Sequence, residues 1–126
     1  MNYNPKLWRY RDALAKIDLA LSTLATGQGD IKERLRAAYH LHLIKLSVDD
    51  FPKELGIQEN FKSVISQLNS AEIPENRKND PLLGDIVYMS LYGRRRKSCT
   101  EIARGIVTIQ AKLESLLKTY SDYNPD

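Results

Sequence analysis

Residues 94 to 97 read Arg-Arg-Arg-Lys, and Tyr88 and Tyr92 precede them four residues apart. Guanidinium groups hold phosphate oxygens through paired hydrogen bonds, and aromatic rings give bases a face to stack on. The chemistry this set points to is a phosphate-bearing partner, nucleic acid or smaller ligand. Arg94, Arg95, Arg96 and Lys97 would take the anion, and Tyr88 and Tyr92 a ring. Arg77 and Lys78, in a polar stretch upstream, offer further cations. A helix opening directly after the cluster would turn its unpaired N–H groups and positive dipole end toward the same anion. The competing reading is a solvated turn, in which cations just past a helix end complement that helix's negative C-terminus. Cys99 follows at the first turn of the next helix, where nearby cations favour a thiolate. No histidine stands near it in sequence, and no local signature of a catalytic cysteine is present.

The two histidines, His40 and His42, are two residues apart. On one helix they point about 200° from each other, so they cannot share a metal ion. One cysteine excludes an internal disulfide and a cysteine-built zinc site, and no metal or cofactor is expected. His42 falls on an apolar face, where a histidine bonded to a nearby acceptor is the usual arrangement. Arg34-Leu-Arg-Ala-Ala-Tyr-His40 and Arg36-Ala-Ala-Tyr-His-Leu-His42 both separate an arginine from a histidine by the same short interval. With the all-helical form, this stretch resembles the motif of the HEPN superfamily, small helical bundles that are often ribonucleases in defence or toxin systems. The resemblance implies a histidine acting at phosphate chemistry and an arginine supporting the developing charge, here His42 and Arg36. Two features depart from the family. Leu35 or Ala37 follows the arginine where a polar residue is usual, and the stretch lies in the second helix rather than a late one.

Composition narrows the alternatives. The chain of 126 residues is 42% hydrophobic and 28% charged, which suits one folded domain, expected over 1–126, and excludes a disordered chain. Its net charge is +3, but the cluster at 94–97 supplies four cations, which leaves the rest of the chain slightly acidic. That disfavours a protein coating nucleic acid along a basic stripe and favours one local anion contact. No apolar run approaches the ~20 residues of a membrane span, and Met1-Asn2-Tyr3-Asn4-Pro5 does not read as a signal peptide, so a cytoplasmic location without membrane contact is expected. There is no Gly-rich phosphate loop, nucleophile elbow or glycosidase-like carboxylate pair, so an enzyme is not the favoured class.

The elements that must position these residues are helices. Leucine occurs 17 times and valine 4 times, which weights the chain toward helix over strand. Asn4 and Pro5 should start a first helix whose Leu7, Tyr10, Leu14, Ile17, Leu21 and Leu24 form a heptad seam, ended by Gly27-Gln28-Gly29. Asp30 and Glu33 open a second, with Ile31, Leu35, Ala38, Tyr39, His42 and Leu46 on one face. Leu41 and Ile44 oppose that face, so the stretch to Leu46 is apolar nearly all round, as in a central or partner-covered helix. Ser47 and Asp50 cap a short helix that takes in Pro52 and ends at Gly56; Ile57, Phe61, Val64, Ile65 and Leu68 mark the next. Residues 71–80 are polar and without helical period, a mobile or binding loop. Asp80-Pro81 should begin a helix through Leu83, Ile86, Val87 and Leu91 to Gly93. Ser98 and Glu101 make a capping box for the last helix, with Ile102, Ile106, Ile109, Leu113, Leu116 and Tyr120 as its stripe and Gly105 allowing close approach of another helix.

The expected fold is all-α, a compact bundle of four to five helices with long heptad-patterned first and last helices. The favoured function is a small non-enzymatic interaction module that self-associates or docks on a protein partner through those seams. Phosphate or nucleic-acid binding at 94–97 and a HEPN-like activity through Arg36 and His42 are the alternatives.

Overall fold

The computed structural model describes residues 6–122. Its helices are α1 (Leu7–Thr26), α2 (Ile31–Leu41), α3 (Ile57–Leu68), α4 (Ile86–Tyr92) and α5 (Arg96–Asp122). No strand occurs among the described residues, and the fold is an all-α bundle with long first and last helices. Single 3₁₀ turns at Leu43–Lys45, Val48–Asp50, Glu54–Gly56 and Glu75–Arg77 fill the connections. The expected start at Asn4-Pro5 lies outside the described residues.

One core draws on all five helices. α5 packs along both α1 and α3 and also meets α2, and it buries Cys99, Ile102, Ile106, Ile109, Leu113 and Leu117. Gly105 makes the α3 contact close, since a Cβ there would stand 2.8 Å from Val64 Cγ2. On α1 the buried stripe is Tyr10, Ala13, Ile17, Ala20 and Leu24, while Leu7, Leu14 and Leu21 flank it half-buried. Tyr10, Ile17 and Leu24 of the expected seam are buried, but Ala13 and Ala20 take its centre in place of Leu14 and Leu21. Two alanines sit there because α1 lies against both α2 and α5, and small side chains let both backbones approach. α3 buries Ile57, Phe61, Val64 and Leu68, as its spacing predicts.

Helix boundaries depart from the sequence reading at four places. α2 begins at Asp30, whose side chain accepts from the Glu33 amide at 3.1 Å, but it stops at Leu41 instead of running to Leu46. A continued helix would carry the His42 imidazole into the seam of Leu35 and Ala38. The break at His42 instead buries Leu43 and leaves Leu41 and Ile44 outside. The expected helix through Pro52 is two separate 3₁₀ turns, with Asp50 held by the Ser47 amide at 2.7 Å and by Arg9.

The fourth helix starts not at Asp80 but at Ile86. Asp80 Oδ1 caps only its own turn, accepting from the Leu82 and Leu83 amides. At Gly84 the chain folds back onto the carbonyls of Arg77, Lys78 and Asp80, where a Cβ would stand 2.6–2.8 Å from all three. Only glycine fits there, so the helix must restart with a new cap, Asp85. α5 starts at Arg96, two residues before the expected capping box, because the Arg95 carbonyl already accepts from the Cys99 amide at 3.1 Å. The Ser98 hydroxyl then accepts from Arg94 Nη1 instead.

Candidate functional site

α2 and α4 pack side by side and leave between them an open groove of about 1060 Å³. Gln28, Lys32, Arg36, His40 and Leu41 line one wall; Leu82, Asp85, Tyr88 and Tyr92 line the other. Positions 32, 36 and 40 recur every four residues, so α2 aims Lys32, Arg36 and His40 along one stripe. α4 does the same with Asp85, Tyr88 and Tyr92.

Asp85 organises this site. Its Oδ1 accepts from the Val87 and Tyr88 amides at 2.9 and 3.1 Å, which caps α4. Its Oδ2 accepts from Arg36 Nε at 2.9 Å and lies 3.0 Å from His40 Nε2. The Asp85 side chain is only 11% exposed. That burial alone would raise its pKa. The Tyr88 amide and the Arg36 and His40 charges outweigh the burial and hold the carboxyl below the usual aspartate range. An ionised Asp85 therefore fixes the orientation of both Arg36 and His40.

What this leaves open is chemically useful. Arg36 lies over the Tyr88 ring, with Cζ 5.5 Å from the centroid, a cation–π contact. Its Nε is engaged by Asp85, and the half-exposed side chain lines the groove. The Tyr88 and Tyr92 rings stand 5.9 Å apart, tilted by 42°. Lys32 Nζ donates to the Tyr92 carbonyl at 3.1 Å, closing the C-terminus of α4. Of the three groove carboxylates, Asp85 is fully engaged and Asp30 caps α2, which leaves Glu33 at the far end.

The sequence-predicted residues separate into distinct groups. Tyr88 and Tyr92 are in the groove, as is Arg36. Arg94 is not available to a ligand. Its guanidinium reaches the Ser90 carbonyl (3.2 Å), the Ser98 hydroxyl (2.9 Å) and the Gln67 carbonyl (3.4 Å), bracing α3, α4 and α5 together. Arg95, Arg96 and Lys97 are exposed just beyond Tyr92 and Gly93. Arg94→Ala is accordingly expected to lower stability by about 1–3 kcal/mol in urea denaturation, and Arg95→Ala by no more than about 0.5 kcal/mol. Equal effects of the two substitutions would contradict the bracing role.

Arg36 and His42 are not brought together. His42 Nε2 lies 3.1 Å from Thr23 Oγ1 on α1, and the Thr23 hydroxyl donates to the Leu19 carbonyl. Burial, with Lys45 nearby, pushes the His42 pKa below the ordinary histidine value. Arg34 likewise turns away, donating to the Leu24 carbonyl at 3.0 Å at the end of α1. The histidine beside Arg36 is His40, one helical turn along; His42 lies past the end of α2 and meets α1 instead. Cys99 is fully buried, and burial pushes its thiol up against the opposing pull of Lys32 and Arg94. Residues 71–80 are mostly exposed, with Lys78 paired to Glu75 at 2.6 Å and the Ala71 amide bonded to the buried Ser90 hydroxyl at 2.9 Å.

Asp85 and His40 are the site residues that sequence reasoning missed. A signal for Asp85 exists, a Gly-Asp pair just ahead of Ile86-Val87, but Asp80-Pro81 offered a competing cap. For His40, the four-residue interval from Arg36 was the informative one. Comparisons with protein-family models, curated proteins and solved structures find no match to this chain. No group of three metal-ligating side chains occurs among the described residues, and no helix there is long and apolar enough to cross a membrane.

Proposed function

We propose that the chain is a binding protein whose α2–α4 groove takes a ligand carrying an anionic group beside a flat ring, the chemistry of a nucleotide. The single observation that carries this reading is the arrangement at Asp85. One shielded carboxylate aims Arg36 and His40 while Tyr88 backs the guanidinium. Shared orientation of two donors beside stacking rings favours a planar, charged ligand over a purely apolar one. The anion expected from the sequence is thus moved from Arg94 to Arg36, with Tyr88 and Tyr92 kept as ring contacts.

The other expectations find less support. Self-association rests on the α1 and α5 seams and on the apolar stretch Leu41 to Leu46; Tyr10, Ile17 and Leu24 of the first seam and Ile102, Ile106, Ile109 and Leu113 of the last are buried within one chain, while Leu41 and Ile44 stay exposed. The activity implied by the HEPN resemblance pairs Arg36 with His42, which faces α1 instead.

Titration with adenosine monophosphate, followed by two-dimensional NMR, tests the reading. Shifts are expected at Arg36, His40, Tyr88 and Tyr92, with adenosine or inorganic phosphate alone binding more weakly. Arg36→Ala should weaken binding about tenfold or more, since a hydrogen bond from a charged group is worth about 1.5–3 kcal/mol. Arg36→Lys should not restore it, because lysine lacks the planar fork that both stacks and pairs. Binding that survives Arg36→Ala in a folded protein would overturn the assignment.

A further inference from the structure

A cation lies against the first tyrosine of the pair, and a run of exposed cations follows the second in sequence, outside the groove lining. Arg36 lies against Tyr88 at 5.5 Å, Tyr92 follows at 5.9 Å, and Arg95, Arg96 and Lys97 come next beyond Gly93. Tyr92 is 65% exposed, an unusual position for a large ring whose main chain is tied down by Lys32. A mononucleotide has one anionic end and one base, so it can engage only part of this set. We infer that the natural ligand is a single-stranded nucleic acid, which rests on the groove being an anion-and-ring site. Its bases stack on Tyr88 and Tyr92 and its phosphates run from Arg36 to the exposed cations at 95–97.

Three features favour a single strand over a duplex. Stacking on tyrosine needs an unpaired base with a free face, which a duplex does not present. Rings joined by one helical turn offer two successive stacking positions rather than one isolated slot. The exposed cations at 95–97 form one short run in a chain whose remainder is slightly acidic, which favours a local contact over a broad basic face. Arg94 takes no part, since its guanidinium is held by Ser90, Ser98 and Gln67.

The test uses the full chain and fluorescence anisotropy with an end-labelled single-stranded oligonucleotide of about 12 nucleotides, near the site sizes of known single-strand binders. Adenosine monophosphate and a duplex of equal length serve as competitors. The oligonucleotide is expected to bind more tightly than the mononucleotide and to resist competition by the duplex. Tyr92→Ala should weaken it about 5- to 150-fold, the range for loss of one stacked base, while Tyr92→Phe should retain it. Joint replacement of Arg95, Arg96 and Lys97 by alanine should flatten the slope of log affinity against log salt by about 2, from roughly 0.7 per neutralised phosphate on a single strand. If the mononucleotide binds and the oligonucleotide binds no tighter, the polymer inference fails and the groove reading stands. If neither binds, both fail. If the oligonucleotide binds but the duplex competes equally and Tyr92→Ala has no effect, the contact is unspecific charge attraction and the inference is overturned.

Discussion

Asp85→Ala is expected to lose both stability and ligand binding, and Asp85→Asn to lose only the binding. Alanine removes the cap of a seven-residue helix, a change worth about 1 kcal/mol in typical cases. It also strips Arg36 and His40 of their shared acceptor, and a total loss of about 2 kcal/mol is expected. Asparagine can still accept from the Val87 and Tyr88 amides through its one oxygen. Its amide nitrogen then faces Arg36, donor against donor, so the guanidinium loses its acceptor. Urea denaturation should therefore place Asp85→Asn within about 1 kcal/mol of the parent, while nucleotide affinity falls about tenfold. Equal stability losses in the two variants would contradict the capping role; unchanged affinity in Asp85→Asn would contradict the orienting role.

The same carboxylate has a signature in pH. Its folded-state pKa is depressed, as is that of Asp50, whose partial burial is outweighed by the Ser47 amide and Arg9. Their contribution to stability is complete above the unfolded aspartate value of about 3.9 and is lost as pH falls toward the folded values. His42 acts in a higher window. Its folded pKa is lowered, so the unfolded chain takes up the proton first, and stability begins to fall as pH drops below about 6.5. Thermal melts across pH 3–7 should show both losses, and Asp85→Asn should flatten only the lower one.

Much of this architecture was legible in the sequence where the signal is local. The α3 stripe of Ile57, Phe61, Val64 and Leu68 follows from helical spacing alone, and Tyr88 and Tyr92 share a face because they are four apart. Helix ends were less legible because they depend on tertiary contacts. The stop at His42 reflects Thr23 on α1, and the restart at Asp85 reflects carbonyls packed against Gly84. Ala13 and Ala20 carry too little hydrophobicity to stand out, yet their smallness suits them to the seam centre. The site was least legible of all. Arg36 and Asp85 meet across 49 residues, and no local pattern announces a salt bridge between helices. The run at 94–97 drew attention as charge, whereas the first of its arginines is a brace between three helices.

Gly105 carries the second large expected effect, and two opposing terms decide its sign. Alanine in the interior of α5 gains about 1 kcal/mol of helix propensity over glycine. Its Cβ would also stand 2.8 Å from Val64 Cγ2, closer than packed carbons allow. Val64 is buried and β-branched, so its methyl cannot turn aside without moving α3 from α5. Overpacking of this kind costs about 1–3 kcal/mol, so Gly105→Ala should be neutral to destabilising despite its better propensity. Gly105→Leu pushes further atoms into the same gap and should cost about 3 kcal/mol, a large part of the 5–15 kcal/mol typical of a domain. The decisive measurement is a double-mutant cycle. With Val64→Ala in place the clash is gone, so Gly105→Ala should become stabilising, with a coupling of about 1–2 kcal/mol between the two positions. A stabilising Gly105→Ala in the parent would mean that α3 and α5 do not approach through this glycine.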